Sequence, residues 1–509
     1  MPSPTRSMVP PRWKSLGALA TLMLLLHLAG LQRQSLWLDE LGAWAFTTTA
    51  SWRDLFVLLF DPQSGYPLYH VLLRFWITLF GDEAWVLRAL SLLCGLAAAL
   101  LMARLGERFA RPAPVTLLLL LLSPFLFHYT QEVTAYSMLM LWSAAWLWAF
   151  VRLPVAVLPT GNSAHQHASI DHGRNRLRAA LRPWSALAIL AVAGLLIHRV
   201  AAFSVAAGLL SLMLLHAIRH RRWVLAGTAL FLAWLVMMLA TSIYREYALV
   251  LNPAERVAPL TALWLTLWHF ALDQGPSGLG LVLLAPFGIL LWIGGRDLLQ
   301  RARNADLGAA LLLMTNVLSL ALFLAQLLMI GRYEARYLAA LYPAWALIIT
   351  PTATLARRTI GRSLISATLG AQLLAAVLPG GAWGALPVRE QYREALTSLL
   401  HTIHPDDRLL IYPPYIDSAW RYYAPRIDPD SPHLPVVAAD DLPAAWPGQR
   451  EFVVIATAHA QFAARHDPNA PSLADPRGTV PCDTRHFHGI EIRCRIVASQ
   501  PDLPARPVV

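Results

Sequence analysis

The sequence predicts a mostly α-helical, polytopic membrane protein with a small α/β domain at its C-terminal end. Three observations predict it. The chain of 509 residues is 57% hydrophobic and 14% charged, with a mean hydropathy of +0.49, more apolar surface than a water-soluble core hides. Long apolar runs recur along residues 1–379, parted by short polar loops. Past Pro379 the composition turns to Pro, Asp and Arg with short alternating strands, so residues 380–509 read as a separate soluble domain.

The first span covers residues 15–31, roughly 25 Å of helix at about 1.5 Å per residue, enough for a hydrocarbon core of roughly 30 Å. Arg6, Arg12 and Lys14 precede it, and Gln32-Arg33-Gln34 follows without a small-residue cleavage site. It is therefore read as a retained helix, not a signal peptide. Further spans are expected at 84–105, 114–128, 136–151, 184–197, 200–218, 223–243, 279–295, 309–329, 337–355 and 363–378, giving about eleven helices. Basic residues cluster in every second loop: Arg108 and Arg111; Arg152 with Arg174, Arg176, Arg178 and Arg182; Arg219, Arg221 and Arg222; Arg296, Arg301 and Arg303; Arg357, Arg358 and Arg362. Cytoplasmic loops retain Lys and Arg, so the chain is expected to start inside and end outside. That orientation hinges on the nearly absent turn at His198-Arg199. The net charge of +11 is spent on these loops, which sets aside nucleic acid as a partner. The stretch 152–182 is polar and its histidines are irregularly spaced, so it reads as a solvated loop, not a metal site.

In the soluble domain the expected order is a helix at 389–403, a turn at Pro405-Asp406-Asp407, a strand at 409–412 and a helix at 417–423. Strands follow at 451–456 and around Ile490, Ile492, Cys494 and Ile496, which alternate with Glu491, Arg493 and Arg495. Of three cysteines, Cys94 lies in a span. Cys482 and Cys494 either close a hairpin, worth roughly 3 kcal/mol in the chain-entropy model, or remain separate thiols. Cys482, His486 and His488 lack an evident fourth ligand, so zinc is not expected.

The first outer loop carries the acid pair Asp39-Glu40 within SLWLDELGAWAF, just past the first span. Ser51-Trp52-Arg53-Asp54 reads as a capping-box start to a short helix over 55–60. Gly65-Tyr66-Pro67 breaks the chain, and Pro67 opens a second helix over 68–80 with Tyr69, Arg74 and Trp76 as interfacial anchors. At about 13 residues that helix is too short to cross, so both are expected to rest on the outer leaflet. On residue type alone the acids either solvate the loop, pairing with Arg53, or carry chemistry.

Five strings in order, SLWLDE, YPLYHVLLRFWITLFGDEAWVLRALSLLCG, SPFLFHYTQEVTAYS, RYEARYLAALYPAWAL and REALTSLLHTIHPDDRLLIYPPYIDSAWRYY, resemble the bacterial GT-C membrane glycosyltransferases. The branch they resemble is that of protein O-mannosyltransferases and the lipid A aminoarabinose transferase. The resemblance covers nearly the whole chain. It implies transfer of a monosaccharide, hexosyl or pentosyl, from a polyprenyl-phosphate donor to an extracytoplasmic lipid, glycan or protein. It also implies a multi-pass protein of the bacterial inner membrane, with cytoplasmic N-terminus and extracytoplasmic C-terminal domain. The first-loop acid of such enzymes maps to Asp39. A carboxylate within reach of an attacking hydroxyl is a general base worth roughly 100-fold to 10,000-fold, with Glu40 in support. Cations must meet the departing phosphate. Arg336 matches the family's Arg-Tyr position, either contacting phosphate or bracing Glu334, and Arg332, Arg199 and Arg245 are further candidates. Gln131 and Glu132, either sugar contacts or packed polar groups, join Tyr66 and Tyr337 as candidate sugar or acceptor contacts. Relatives carry a basic residue in the first loop where this chain has Gly65, and Lys14 is its only lysine, so phosphate binding falls to arginines. No matched acid pair demands a metal, and no cofactor is expected. A flippase of lipid-linked sugars would show inverted repeats and charges within spans. A non-catalytic envelope-assembly subunit would dock a partner through the outer domain.

Overall fold

The computed structural model describes residues 21, 24–59, 66–153, 170–220, 256–273, 277–330, 333–378, 389–413, 416–429, 436–437, 448–457, 460 and 479–497. It divides into two compact units. The first is Met1–Leu31 with Ala50–Gly384, and the second is Gln32–Thr49 with Ala385–Val509. Residues 15–20, 22 and 23 of the first expected span, the span at 223–243, and Gly65, Arg245 and Arg332 lie outside the described residues.

The first unit is helical. Among the described residues four helices are long and apolar enough to cross a membrane: Ala84–Arg108, Gly278–Arg303, Leu307–Leu328 and Thr359–Val377. This is a multi-pass membrane protein. The run expected as one helix at 114–128 is instead Ala113–Leu121 followed by Pro124–Thr130, bent by 63°. Ser123 caps the second piece by accepting from the Leu126 amide, and Pro124 opens it, a position where its missing N–H costs nothing. The run at 337–355 is likewise divided, into a 3-10 turn Ala335–Leu341 and helices Tyr342–Ile349 and Ala353–Arg357. Proline at 343 and 351 supplies the breaks. The stretch 152–182 is not all loop, because a helix runs Ile170–Ile197. A helix that the apolar-run reading passed over, Pro259–Leu272, contributes to the candidate site.

Arg111, read from sequence as a topology marker, is fully buried. Its guanidinium donates to the Thr350 and Gly294 carbonyls and pairs with Asp297 at 3.6 Å. One cation thereby ties three segments. Gly294 has to be glycine there, because a Cβ would collide with the Ile348 carbonyl. In the first loop the expected capping box forms: Ser51 accepts from the Asp54 amide and Asp54 accepts from the Ser51 amide, opening the helix Trp52–Leu58. Pro67–Phe80 follows as expected. Trp52 meets Phe75 at a tilt of 49° with ring centroids 4.6 Å apart, and Trp76 donates to the Val86 carbonyl at 2.7 Å.

In the second unit a five-stranded sheet is ordered β2-β1-β3-β5-β4, with β1 Arg408–Tyr412, β2 Val436–Val437, β3 Arg450–Ala456, β4 Thr479–Phe487 and β5 Ile490–Val497. The β2, β1 and β3 pairings are parallel, and those of β3, β5 and β4 antiparallel. Leu410, Tyr412, Val453 and Ile455 form a buried cluster on it. On β5, Ile490, Ile492 and Cys494 are buried, as the alternation predicts. Cys482 and Cys494 form a disulfide, with Cys482 at the bulge between Pro481 and Asp483. That commits the Cys482 sulfur and removes it from any zinc set. Helices Tyr392–Leu400 and Asp417–Ile427, together with Leu38–Thr49, complete this unit.

Candidate functional site

Within the first unit, four residues far apart in sequence gather around Arg336. His198 stacks on Tyr66 at 5.9 Å with 23° between planes, and lies 5.4 Å from Tyr136 and 6.3 Å from Tyr337. The Arg336 guanidinium sits 5.8 Å from the Tyr136 ring and 5.9 Å from that of Tyr337, within cation–π range. His198 holds the turn between the helices Ile170–Ile197 and Ala201–His220, and its Nδ1 accepts from the Val200 amide at 3.2 Å. An accepting Nδ1 leaves the proton on Nε2, the neutral tautomer. Burial, reinforced by the Arg336 and Arg199 charges, pushes this imidazole down to about 3. Arg336 also pairs with Glu334 through Nε, so the bracing contact considered from sequence is present. A guanidinium has five donors in a planar fork, so this contact engages one edge of it.

A second group adjoins the first through Tyr129, whose ring lies 5.5 Å from Tyr136 and 4.9 Å from His128. His128 places Nδ1 2.9 Å from Asp273 and Nε2 3.0 Å from Glu132. Thr134 donates to the other Glu132 oxygen at 3.2 Å, and His269 lies 3.9 Å from Asp273. Both ring nitrogens of His128 face carboxylates, so an imidazolium donating from each satisfies both. Asp273 adopts φ 51° at the C-cap of Pro259–Leu272, a left-handed conformation that Asp and Asn tolerate. The spacings His128-Glu132 and His269-Asp273 are both i,i+4, the signal that could have exposed these residues in sequence. The Gln131 amide donates to the His27 carbonyl at 3.0 Å.

The acid pair lies in the second unit, at the first turn of Leu38–Thr49. Successive helical residues point about 100° apart, which separates the two acids. Glu40 is fully buried, accepts from the Trp37 amide at 3.2 Å and pairs with Arg389 at 3.3 Å. Its reach back to the N-cap amide is half of a capping box. Asp39 is half-buried, and the helix dipole favours its charge.

The sequence-derived candidates thus divide. Tyr66, Tyr337 and Arg336 come together, with Arg199 beside His198 in the chain. Glu132 joins the His128 group, and Asp39 and Glu40 belong to the other unit. His198, Tyr136, His128 and Asp273 were not anticipated. The rings offer faces on which a sugar or prenyl chain can stack, Arg336 offers charge for an anion, and the carboxylates accept hydroxyl protons. Among the described residues, no group of three or more His, Cys, Asp and Glu is arranged to hold a metal ion.

No protein-family model matches the chain, and no curated protein does. Among solved structures, the chain is similar in fold to the crystal structure of ArnT from Cupriavidus metallidurans bound to undecaprenyl phosphate. The TM-score is 0.49 at 14% identity, over 95% of this chain and 98% of that one. The same protein in the apo state gives a TM-score of 0.48 at 14% identity, over 94% and 97%.

Proposed function

We propose that this protein is a membrane glycosyltransferase that moves a hexosyl or pentosyl group from a polyprenyl-phosphate donor to an extracytoplasmic lipid, glycan or protein. The observation that carries the reading is the gathering of Arg336 with Tyr66, Tyr136, His198 and Tyr337, a cation beside stacked rings in a multi-pass membrane protein. Phosphate recognition by a planar guanidinium and ring stacking on a sugar face are complementary demands of such a donor. In this reading the acceptor oxygen attacks the anomeric carbon and its proton passes to the Asp39 carboxylate. The bond from that carbon to the phosphate oxygen breaks, and the lipid phosphate leaves with the electron pair, inverting the centre. Glu40 supports Asp39 through the fold of its helix, and the step is metal-independent. The protein is assigned to the bacterial inner membrane, with the C-terminal domain outside.

The test uses a strain lacking the gene, complemented with Asp39→Asn, and reads by mass spectrometry the envelope glycan that the deletion loses. Asp39→Asn is expected to leave it missing at normal protein levels, and restoration to wild-type levels would sink the general-base role. Arg336→Gln in the purified protein is expected to weaken undecaprenyl phosphate binding by about 10-fold to 100-fold, the loss of one charged hydrogen-bonding partner. A second reading has its own observation: His128, Glu132 and Asp273 form the buried charged group a flippase would use. Reconstituted protein that moves a lipid-linked sugar across vesicles without forming a glycoside product would favour it.

A further inference from the structure

The backbone amides at the start of Leu38–Thr49 have no backbone partners within their own helix, and side chains of the second unit take three of them. Leu36 N–H donates to the Tyr423 hydroxyl at 2.6 Å, Trp37 N–H to Glu40 at 3.2 Å and Leu38 N–H to Glu390 at 3.2 Å. Ser35 donates to Glu394 at 2.6 Å, Arg389 pairs with the buried Glu40, and Arg393 donates to the Gln32 carbonyl at 3.2 Å. Farther along, Trp44 meets Tyr422 edge to face at 4.9 Å. The Leu36 and Leu38 amides and both flanks of the turn that carries Asp39 are therefore set by residues more than 340 positions away in sequence, and the Trp37 amide is set by Glu40, itself held by Arg389.

We infer that Tyr423, Glu390 and the Arg389–Glu40 pair are positioning residues for Asp39, making the C-terminal soluble domain part of the catalytic apparatus. This inference rests on Asp39 as the general base. A carboxylate at N2 takes its direction from the first helical turn, whose carbonyls are tied into the helix, as Trp37 is by the Leu41 amide, while rigidity on its N–H side has to come from outside the backbone ladder. Hydrogen bonds to charged or hydroxyl acceptors supply the rigidity, so their loss misplaces the base without touching the donor site.

The experiment compares Tyr423→Phe, Glu390→Ala, Glu390→Gln, Asp39→Asn and a control, Arg495→Gln, in full-length protein. The control breaks the Arg495–Glu451 pair, 2.6 Å apart on β5 and β3 of the same unit. Three readouts are taken: the rate at which the glycan lost on deletion reappears after induction, the affinity of purified protein for undecaprenyl phosphate, and the thermal midpoint. Tyr423→Phe and Glu390→Ala are expected to slow transfer by about 10-fold to 100-fold, the scale of a small misplacement of a reacting group, with lipid affinity unchanged. Glu390→Gln, which keeps an acceptor, restores most of the rate, and Arg495→Gln lowers the thermal midpoint without slowing transfer. Wild-type transfer by Tyr423→Phe and Glu390→Ala, beside loss in Asp39→Asn, overturns the positioning role and leaves the base intact. Wild-type transfer by Asp39→Asn overturns the underlying reading. Slowing by Arg495→Gln equal to that of Glu390→Ala at equal loss of midpoint overturns positioning in favour of general destabilisation. Tyr423→Phe removes a single oxygen, so the test survives misfolding of the alanine variant.

Discussion

Replacing His128 by leucine should be among the most damaging single changes in the first unit. The imidazole lies between Glu132 and Asp273, whose side chains are only 4% and 10% exposed. At N–O separations of 2.9 and 3.0 Å, each contact is worth about 5 kcal/mol gross at an effective dielectric near 20. Desolvation of all three groups cancels much of that. Removing the central cation does not refund the cost, since it leaves two buried carboxylates without their counter-charge. The expected loss is about 3–5 kcal/mol. Unfolding of the detergent-solubilised full-length chain would measure it. The triple variant His128→Leu with Glu132→Gln and Asp273→Asn should recover most of the loss, because it removes both orphaned charges and asparagine tolerates φ 51° at position 273. If His128→Leu alone stays within about 0.5 kcal/mol of wild type, the level of an ordinary surface substitution, the imidazolium bridge is refuted.

Further predictions follow from the second unit and from His198. Reduction, or Cys482→Ser with Cys494→Ser, opens a link of sequence separation 12 and should cost the C-terminal unit about 3 kcal/mol. Protease susceptibility of residues around β4 with and without reductant checks it. Burial disfavours the Glu394 carboxylate, but hydrogen bonds from Ser35 and Arg393 outweigh it and hold the group below its ordinary 4.5. A depressed folded value means that this contribution is complete above about pH 4.5 and is lost as pH falls through the folded value. Thermal midpoints of wild type and Glu394→Gln should therefore converge on acidification, and a constant gap would refute the linkage. His198, neutral when folded and about 6.5 when unfolded, takes up its proton only on unfolding at mildly acidic pH. Stability should fall as pH drops below about 6.5, and less steeply in His198→Phe.

Legibility in the sequence followed the range of the interactions. The capping box at Ser51 and the helix opened by Pro67 are decided within a few residues and form as the sequence predicts, and the alternation on β5 holds through Cys494 but not at Ile496, which is exposed. The apolar runs at 84–105 and 279–295 are close to the helices Ala84–Arg108 and Gly278–Arg303. Runs containing proline were overextended, because composition counts Pro124 and Pro343 as compatible with a span while their missing N–H groups divide it. The helix Pro259–Leu272 was passed over although its 14 residues equal the run expected at 184–197. The candidate site was least legible: Tyr66, Tyr136, His198 and Arg336 come from four separate segments, and no local pattern links them. Arg111 shows the converse, a residue whose sequence position suggested a solvent-facing charge while it is buried and both its terminal nitrogens donate to backbone carbonyls.

The acid pair illustrates why adjacency in sequence is a poor guide to shared chemistry. Two carboxylates side by side suggest a dyad, but on a helix they diverge by about 100°, and here the divergence takes one into the interior. Glu40 is buried there against the Trp37 amide and Arg389. The two acids therefore differ in surroundings, Glu40 buried and paired and Asp39 half-buried, and in the proposed mechanism the base is Asp39 while Glu40 bears on where it points. Replacing Glu40 by glutamine should accordingly alter the rate through geometry and stability together, whereas replacing Asp39 by asparagine should alter the rate with the fold intact.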